Sequence, residues 1–216
     1  MDKARGGPTK TLLAVAAIAA IATFIVDASY EWSHERIAVN QRARLAARLN
    51  SVLDPSLRSH DLATTRVNAT DEALLGSDSP VDVFVAMENG QPVATVFASI
   101  AHGYNAAIGL LIGISPQGTV TGVRAVAHRE TPGLGDGIDA AKSDWITQFT
   151  GTNLATPTLE LWAVDQDDGE FDSITGATVT SRAVVAAVKN TLLYFGQHRD
   201  ELYSAAAAAT ADATAE

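Results

Sequence analysis

The chain has 216 residues, of which 47% are hydrophobic, enough for one folded domain and a short additional segment. Its formal net charge is −10, and an acidic surface repels phosphate backbones, which argues against nucleic acid as a partner. The sequence contains no cysteine, which excludes disulfides, iron–sulfur clusters, CxxCH haem attachment and thiol redox chemistry. If the protein transfers electrons, an organic cofactor must therefore carry them.

The N-terminal segment contains an uncharged apolar run directly after a basic stretch. As a helix, residues 11–26 would rise roughly 24 Å, slightly less than the ~30 Å core of a bilayer. Extended to residues 11–29, with the Lys10 side chain reaching the interface, the run is predicted to be a transmembrane anchor. Because basic residues precede it, residues 1–10 are expected in the cytoplasm and the bulk of the chain outside it.

A cleavable signal peptide is the alternative interpretation of the same run. Val26-Asp27-Ala28 has the small-residue form of a cleavage site, and the apolar run is nearly short enough for the hydrophobic region of a signal. Both interpretations place the folded domain outside the cytoplasm.

A stalk and a connector are predicted between the anchor and the domain, over residues 30–79. From Tyr30 to about Leu53 the apolar residues are spaced as in a helix, and Asp54-Pro55 ends that helix. The stretch from Ser56 to Ser79 is polar and poorly periodic.

Two hairpins of β-strands are predicted next. The first joins residues 81–86 to residues 92–98 through Asn89-Gly90, a strong signal for a tight turn between two strands. The second joins residues 108–114 to residues 119–126 through a turn rich in Ser, Pro and Gly.

Helices are predicted to follow the hairpins. One covers Asp139–Phe149 and a longer one runs from about Val179 to Gln197, with a further strand at Leu159–Val164 between them. Hairpins followed by helices predict an α+β domain, here assigned to residues 80–200. The Ala-rich residues 201–216 are predicted to be a flexible tail.

The most informative motif is Asp172–Ser181, with the sequence DSITGATVTS. Thr and Ser favour helix N-termini and Gly permits a tight turn, so one interpretation is simply the start of a helix. The segment also has what an attached phosphate needs, because free N–H groups and the helix dipole favour an anion there. Gly176 and Ala177 leave space for a bulky group to approach the backbone.

A second motif is His128–Gly137, with the sequence HRETPGLGDG. A Gly-rich connection with a turn at Pro132-Gly133 explains part of it. His128 and Glu130 supply only two possible metal ligands, and the spacing of the other His residues completes no site. No metal is therefore predicted.

Both motifs resemble the FMN-binding domains of the Rnf electron-transport complex G subunit and of the sodium-pumping NADH:quinone oxidoreductase C subunit. Residues 172–178 match the flavinylation pattern Asp-x-x-(Ser/Thr)-Gly-Ala-Thr, and residues 128–135 match His-x-Glu-Thr-Pro-Gly-Leu-Gly of the Rnf protein. The resemblance implies FMN bonded covalently, through a phosphoester, to Thr178. It extends from the anchor to about Gln197 and favours an uncleaved anchor over a signal peptide.

The function implied by this resemblance is electron transfer within a membrane-bound complex that couples ferredoxin and NAD oxidoreduction to ion translocation. The implied partners are the other Rnf subunits (A, B, C, D and E), a flavin transferase for maturation, and the lipid bilayer. The implied location is the bacterial inner membrane, single-pass, with the C-terminal domain in the periplasm. The alternative is a membrane-tethered structural or assembly module without flavin.

Further cofactor contacts are implied beside the attachment site. The contacts implied around the phosphate are Thr175, Gly176, Ala177, Thr180 and Ser181. Those implied to form a wall of the flavin site are Glu130, Thr131, Pro132, Gly133 and Leu134. No catalytic acid or base is assigned. One departure is the acidic run at residues 165–168, where the family leads us to expect basic residues. The departure puts any family electrostatic contact there in doubt, though not the attachment site.

Overall fold

The computed structural model describes residues 12–13, 15–24, 43–54, 57 and 65–213, and divides the chain into two units, Met1–Arg44 and Leu45–Glu216. In the first unit, residues 12–13 and 15–24 are helical and their side chains are exposed. Among all residues described, no helix is both long and apolar enough to cross a membrane. Parts of the predicted anchor (11–29) and most of the predicted stalk helix (30–53) lie outside the described residues.

The second unit is built on a five-stranded antiparallel sheet with its strands in chain order: β1 (Arg66–Asp71), β2 (Ser77–Glu88), β3 (Gln91–His102), β4 (Ala107–Ile114) and β5 (Val120–Ala127). The predicted hairpins β2–β3 and β4–β5 are confirmed. Asn89 and Gly90 have φ angles of 52° and 77°, as a tight two-residue turn requires. Strand β1 lies in the stretch predicted as a connector, and its only buried side chain is Ala69, so its hydrophobic pattern is weak.

Residues 45–50 are helical, and two further α-helices accompany the sheet. Helix α1 (Glu72–Leu75) joins β1 to β2, and helix α2 (Thr178–Ala213) packs mainly against β3. The start of α2 agrees with the prediction, but the predicted end near Gln197 is wrong. Leu202 and Ala206 are buried in the core, and alanine has the highest helix propensity, so the helix continues through the Ala-rich segment.

The chain between β5 and α2, where every residue is described, forms four short 3₁₀ helices: Gly135–Ile138, Trp145–Phe149, Leu159–Leu161 and Asp165–Asp167. The predicted helix Asp139–Phe149 is wrong in its first half, where turns replace it. In that half, the Ser143 hydroxyl donates a hydrogen bond to the Gly137 carbonyl at 2.7 Å, and the Asp139 carboxylate accepts one from the Ala141 N–H at 2.9 Å. Such local side-chain bonds compete with helix formation.

The predicted strand Leu159–Val164 is also wrong. Leu159 and Leu161 are 48% and 39% exposed, whereas Trp162 and Val164 are buried in the core. Only Val164 pairs as a strand residue, in an isolated bridge to Phe171. The segment is thus a loop that buries the side chains of Trp162 and Val164.

Both faces of the sheet are covered. Alternate residues of β2 point to opposite sides, so Val83 lies in the core shared with α2 and Phe84 packs with the buried Leu49 and Val52. The Val52 carbonyl accepts a hydrogen bond from the Thr121 hydroxyl at 2.7 Å. The predicted α+β class, with an antiparallel sheet and packed helices, is therefore confirmed.

Candidate functional site

The Asp172–Ser181 motif opens helix α2 beside a cleft of about 480 Å³. Small-molecule sites occupy roughly 300–1,000 Å³. The cleft is lined from the β3–β4 connection, the loop after β5 and the first turn of α2, by Tyr104, Glu130, Thr131, Leu134, Gly135, Gly176, Ala177, Thr178, Val179 and Thr180. Two motifs that are distant in sequence therefore meet at one place.

Thr178 is the first residue of α2, and its side chain is half-buried in the cleft wall. Its hydroxyl Oγ1 donates a hydrogen bond to Gln166 Oε1 at 2.8 Å. Gly176, with a φ of 78°, makes the turn into the helix, and a side chain there would lie 3.0 Å from Leu134. The Thr178 hydroxyl thus stands where the cleft meets the helix N-terminus.

The first turn of α2 has unused backbone donors. Among the described residues, none accepts a hydrogen bond from the N–H groups of Thr178, Val179 or Thr180, as expected for the start of a helix. The Ser181 N–H already donates to the Ala177 carbonyl at 3.0 Å, so the helical ladder begins there. Three free N–H groups and the positive end of the helix dipole would stabilise an anion at Thr178.

Glu130 is a buried carboxylate at the back of the cleft, only 5% exposed. It accepts hydrogen bonds from the Thr180 hydroxyl and from the N–H groups of Asn105, at 3.1 Å, and Tyr104, at 3.3 Å. Burial alone would raise the pKa of Glu130, but these bonds and one from the Ala106 backbone hold the pKa below its ordinary value. Glu130 is therefore charged and joins α2 to the β3–β4 connection.

Two glycines allow this close packing around Glu130. A Cβ atom at Gly103 would lie 2.6 Å from Glu130 Oε1, and one at Gly135 would lie 2.9 Å from Glu130 Cβ and 3.1 Å from Thr180 Oγ1. The Asn105 side-chain amide adds a bond to Thr131 Oγ1 at 3.1 Å. The cleft floor is thus a tightly packed unit that connects three segments.

An acidic loop at residues 165–168 lies on the other side of Thr178. Arg182 on α2 donates two hydrogen bonds to Asp167, from Nε to Oδ2 and from a terminal nitrogen to Oδ1, each 2.6 Å long. The hydrogen bond to Arg182 lowers the pKa of Asp167, although desolvation opposes this shift, and the same bond raises the pKa of Arg182. The cation next to this loop is therefore supplied by α2.

Comparison with known proteins bears directly on this site. Residues 103–193 match the model of the FMN-binding domain family, and this range includes all residues that line the cleft. The chain is 39% identical over 191 residues to the ion-translocating oxidoreductase complex G subunit of Shewanella baltica (strain OS223), covering 88% of this chain and 90% of that protein. It is 40% identical over 194 residues to the protein of the same name from Vibrio vulnificus (strain YJ016), covering 89% and 92%.

The chain belongs to the family of G subunits of ion-translocating oxidoreductase complexes. The predicted resemblance to this family is thereby confirmed. The crystal structure of Shewanella oneidensis NqrC also matches, with a TM-score of 0.49 and 20% identity, covering 70% of this chain and 77% of that one.

The residues around the cleft fit an FMN. The cleft walls at Leu134, Gly135 and Val179 are apolar, as a flat flavin ring requires, and the N-terminus of α2 suits a phosphate. Leu134, Val179 and Tyr104 are 45%, 48% and 71% exposed, so they form an apolar rim that a ring would cover.

The predicted cofactor contacts divide into two groups. Those that line the cleft are Thr178, Gly176, Ala177, Thr180, Glu130, Thr131 and Leu134, and those that do not are Thr175, Ser181, Pro132 and Gly133. Thr175 is exposed. Ser181 is fully buried, and its hydroxyl donates to the Ala177 carbonyl at 3.2 Å and accepts from the Ile174 N–H at 3.0 Å. The structure thus places Ser181 inside the turn that leads into α2.

Sequence reasoning gave no site role to Tyr104, Val179 or Gln166. Tyr104 and Val179 belong to neither predicted contact group, and only the folded structure shows that their side chains are exposed at the cleft. A signal for Gln166 did exist, because it is the one neutral residue in the run Asp165-Gln166-Asp167-Asp168.

Proposed function

We propose that this protein is an electron carrier with FMN joined to Thr178 by a phosphoester bond. The observation that carries the proposal is the position of Thr178 Oγ1, where an apolar cleft meets the N-terminus of α2. When bound, FMN supplies the redox chemistry, and the protein supplies position and electrostatics. The linked phosphate keeps one negative charge, and the free N–H groups of residues 178–180 are its proposed donors.

The cleft residues have separate proposed tasks toward the cofactor. Leu134, Val179 and Tyr104 cover the ring, and Thr131 is a hydroxyl within reach of its polar edge or of the ribityl chain. Glu130 already accepts bonds from several protein donors, so it holds the wall in shape. Gly176 and Ala177 keep the approach to the phosphate open.

Attachment requires a separate flavin transferase that moves the FMN moiety from FAD to Thr178. An unactivated threonine hydroxyl is a poor nucleophile and needs a base. The group that contacts Thr178 Oγ1 is the Gln166 amide, which cannot take up a proton at neutral pH. The base must therefore come from the transferase.

The carrier is proposed to work between the other subunits of an Rnf-type complex, A, B, C, D and E. Ferredoxin and NAD oxidoreduction would be coupled there to ion movement. The relatives in Shewanella baltica and Vibrio vulnificus are both named as subunits of an ion-translocating oxidoreductase complex, which supports this role.

The same proposal includes a membrane anchor at residues 11–29 in the bacterial inner membrane, with the domain in the periplasm. Basic residues precede the uncharged run, and the described side chains between Leu12 and Phe24 are exposed. A covalent bond is useful in the periplasm because a dissociated flavin would be lost there. A tether keeps the local concentration of the flavin at about the millimolar level.

Intact-mass measurement tests the proposal. Co-production with a flavin transferase is expected to add one FMN moiety to the wild-type chain and none to Thr178→Ala. The control Thr158→Ala removes another exposed threonine hydroxyl, outside the cleft, and is expected to remain labelled. A wild-type chain with the mass of the bare polypeptide would instead support a structural or assembly module without flavin.

A further inference from the structure

We propose that Gln166 positions the Thr178 hydroxyl for flavin transfer and then holds the linked phosphate, and that the Asp167–Arg182 pair fixes Gln166 in place. This inference rests on the proposed function. A threonine at the N-cap of a helix commonly bonds its hydroxyl to a backbone N–H of the first turn, but Thr178 lies one position later, as the first residue of α2. Here the hydroxyl donates to Gln166 Oε1 at 2.8 Å, which links it to a neighbouring loop.

The loop that presents Gln166 is held in one conformation. Val164 and Phe171 pair across its base, and the Asp165 N–H donates to the Phe171 carbonyl at 2.7 Å. Asp165 Oδ1 accepts bonds from the Ser173 N–H at 3.0 Å and from the N–H of Gln166 itself at 2.9 Å. These bonds restrict where the Gln166 side chain can point.

The Asp167–Arg182 pair ties this loop to α2. Arg182 lies four residues after Thr178, so the two side chains occupy the same face of the helix one turn apart. Two parallel hydrogen bonds, each 2.6 Å long, fix the direction of Asp167 as well as its distance. The neighbouring residue, Gln166, is therefore held over the Thr178 hydroxyl.

The chemistry of the transfer explains why an amide suits this position. Thr178 Oγ1 forms a bond to the FMN phosphorus of FAD, the pyrophosphate P–O bond breaks, and AMP leaves. The hydroxyl proton passes to a base of the transferase. Before the step, Gln166 Oε1 accepts a hydrogen bond from the Thr178 hydroxyl, which orients the Thr178 oxygen and leaves a lone pair free to attack.

After the step the ester oxygen of Thr178 carries no hydrogen, so Gln166 Oε1 would face another acceptor. Rotation of the amide by half a turn replaces that oxygen by its NH₂ group, which can donate to the ester or to a phosphate oxygen. A carboxylate cannot do this, and its charge would repel the phosphate. Gln166 is the neutral member of the acidic run at residues 165–168, as this role demands.

The test measures the rate of FMN addition by intact mass, with purified transferase and FAD. Gln166→Glu keeps the acceptor and the side-chain length but adds a negative charge that repels the incoming phosphate, and it is expected to slow the maximal rate by about 10-fold or more. Gln166→Ala loses both functions without adding charge and is expected to be slowed several-fold. The control Gln117→Glu adds the same charge at an exposed turn away from the cleft and is expected to react at the wild-type rate.

The pair is tested by Arg182→Lys, which keeps the charge but cannot form the two parallel bonds. A several-fold lower maximal rate is expected, with the half-saturating concentration of the chain unchanged. A higher half-saturating concentration with an unchanged maximal rate would mean that the loop only binds the transferase, and would overturn the positioning role.

The two levels of the proposal fail in different ways. If the wild-type chain is labelled and Gln166→Glu is labelled at the same rate, the role of Gln166 is overturned but the proposed function is not. A wild-type chain that takes up no FMN would overturn the proposed function and this inference with it. Because Gln166 is exposed and Arg182 is about half exposed, each variant is expected to melt at the same temperature as the wild-type chain. Equal melting temperatures show that the variants are folded.

Discussion

Two loops contact the first turn of α2 from different sides, and they do so in opposite environments. Glu130 accepts a hydrogen bond from Thr180 in a buried, closely packed site. Gln166 accepts one from Thr178 in an exposed site. Since unsatisfied buried polar groups cost far more than exposed ones, we expect the Glu130 loop to contribute to stability and the Gln166 loop to act mainly on the reactivity of Thr178.

Glu130→Ala is the largest expected perturbation of the buried side. It leaves the Thr180 hydroxyl and the N–H groups of Asn105 and Tyr104 without their acceptor, and we expect a loss of about 3 kcal/mol in the free energy of unfolding. Urea denaturation measures this loss. The exposed carboxylate Glu160 provides the control, and Glu160→Ala is expected to leave stability unchanged within about 0.5 kcal/mol. Equal effects of the two substitutions would contradict the comparison.

Gly135→Ala tests the packing around Glu130. The new methyl group would lie 2.9 Å from Glu130 Cβ, so atoms must shift, at an expected cost of about 2 kcal/mol in unfolding free energy. Gly196→Ala is the matched control, because this position on α2 has no atom within 4 Å of an added Cβ. It is expected to stabilise the chain by up to about 1 kcal/mol through helix propensity. Thermal melts of the two variants measure these changes. An unchanged melting temperature for Gly135→Ala would contradict the close packing around Glu130.

The pH dependence of stability tests whether Glu130 is charged in the folded chain. Because the pKa of Glu130 is lower in the folded chain than in the unfolded one, its contribution is present above the unfolded pKa. That contribution is lost as the pH falls through the folded pKa. Urea midpoints should therefore fall more steeply on acidification for the wild-type chain than for Glu130→Gln. Parallel curves for the two chains would show that Glu130 is not the responsible group.

The smallest expected effect belongs to the exposed side. Gln166→Ala removes a partner that water can replace, so unfolding free energy should change by no more than about 0.5 kcal/mol. Urea denaturation of Gln166→Ala measures this change, and Gln117→Ala is the matched control at another exposed glutamine. A loss as large as that of Glu130→Ala would assign a structural role to Gln166.

The sequence predicted those parts of the fold that rest on local signals. Asn89-Gly90 specified the β2–β3 turn, and the spacing of Val184, Val188 and Leu192 specified the buried face of α2. Strand β1 was missed because it lies at the edge of the sheet and is largely polar. Its place depends on pairing with β2, which no local pattern reveals.

The site was predictable to the extent that its two motifs are contiguous. Residues 172–178 and 128–135 carry the family pattern, and the structure places parts of both at one cleft. The contact between Gln166 and Thr178 spans a loop of irregular backbone, for which no periodicity exists. The sequence likewise could not show that Glu130 and Thr180 face each other, because that contact depends on how α2 packs.

Fragment mass spectrometry of the peptide spanning residues 170–182 tests the proposed ester bond at Thr178 most directly. The peptide should come from the chain purified from cells that produce it naturally. We expect an FMN phosphoryl group on Thr178, with Thr175 and Thr180 unmodified. Flavin on either of those residues, or a peptide with the unmodified mass, would contradict the account.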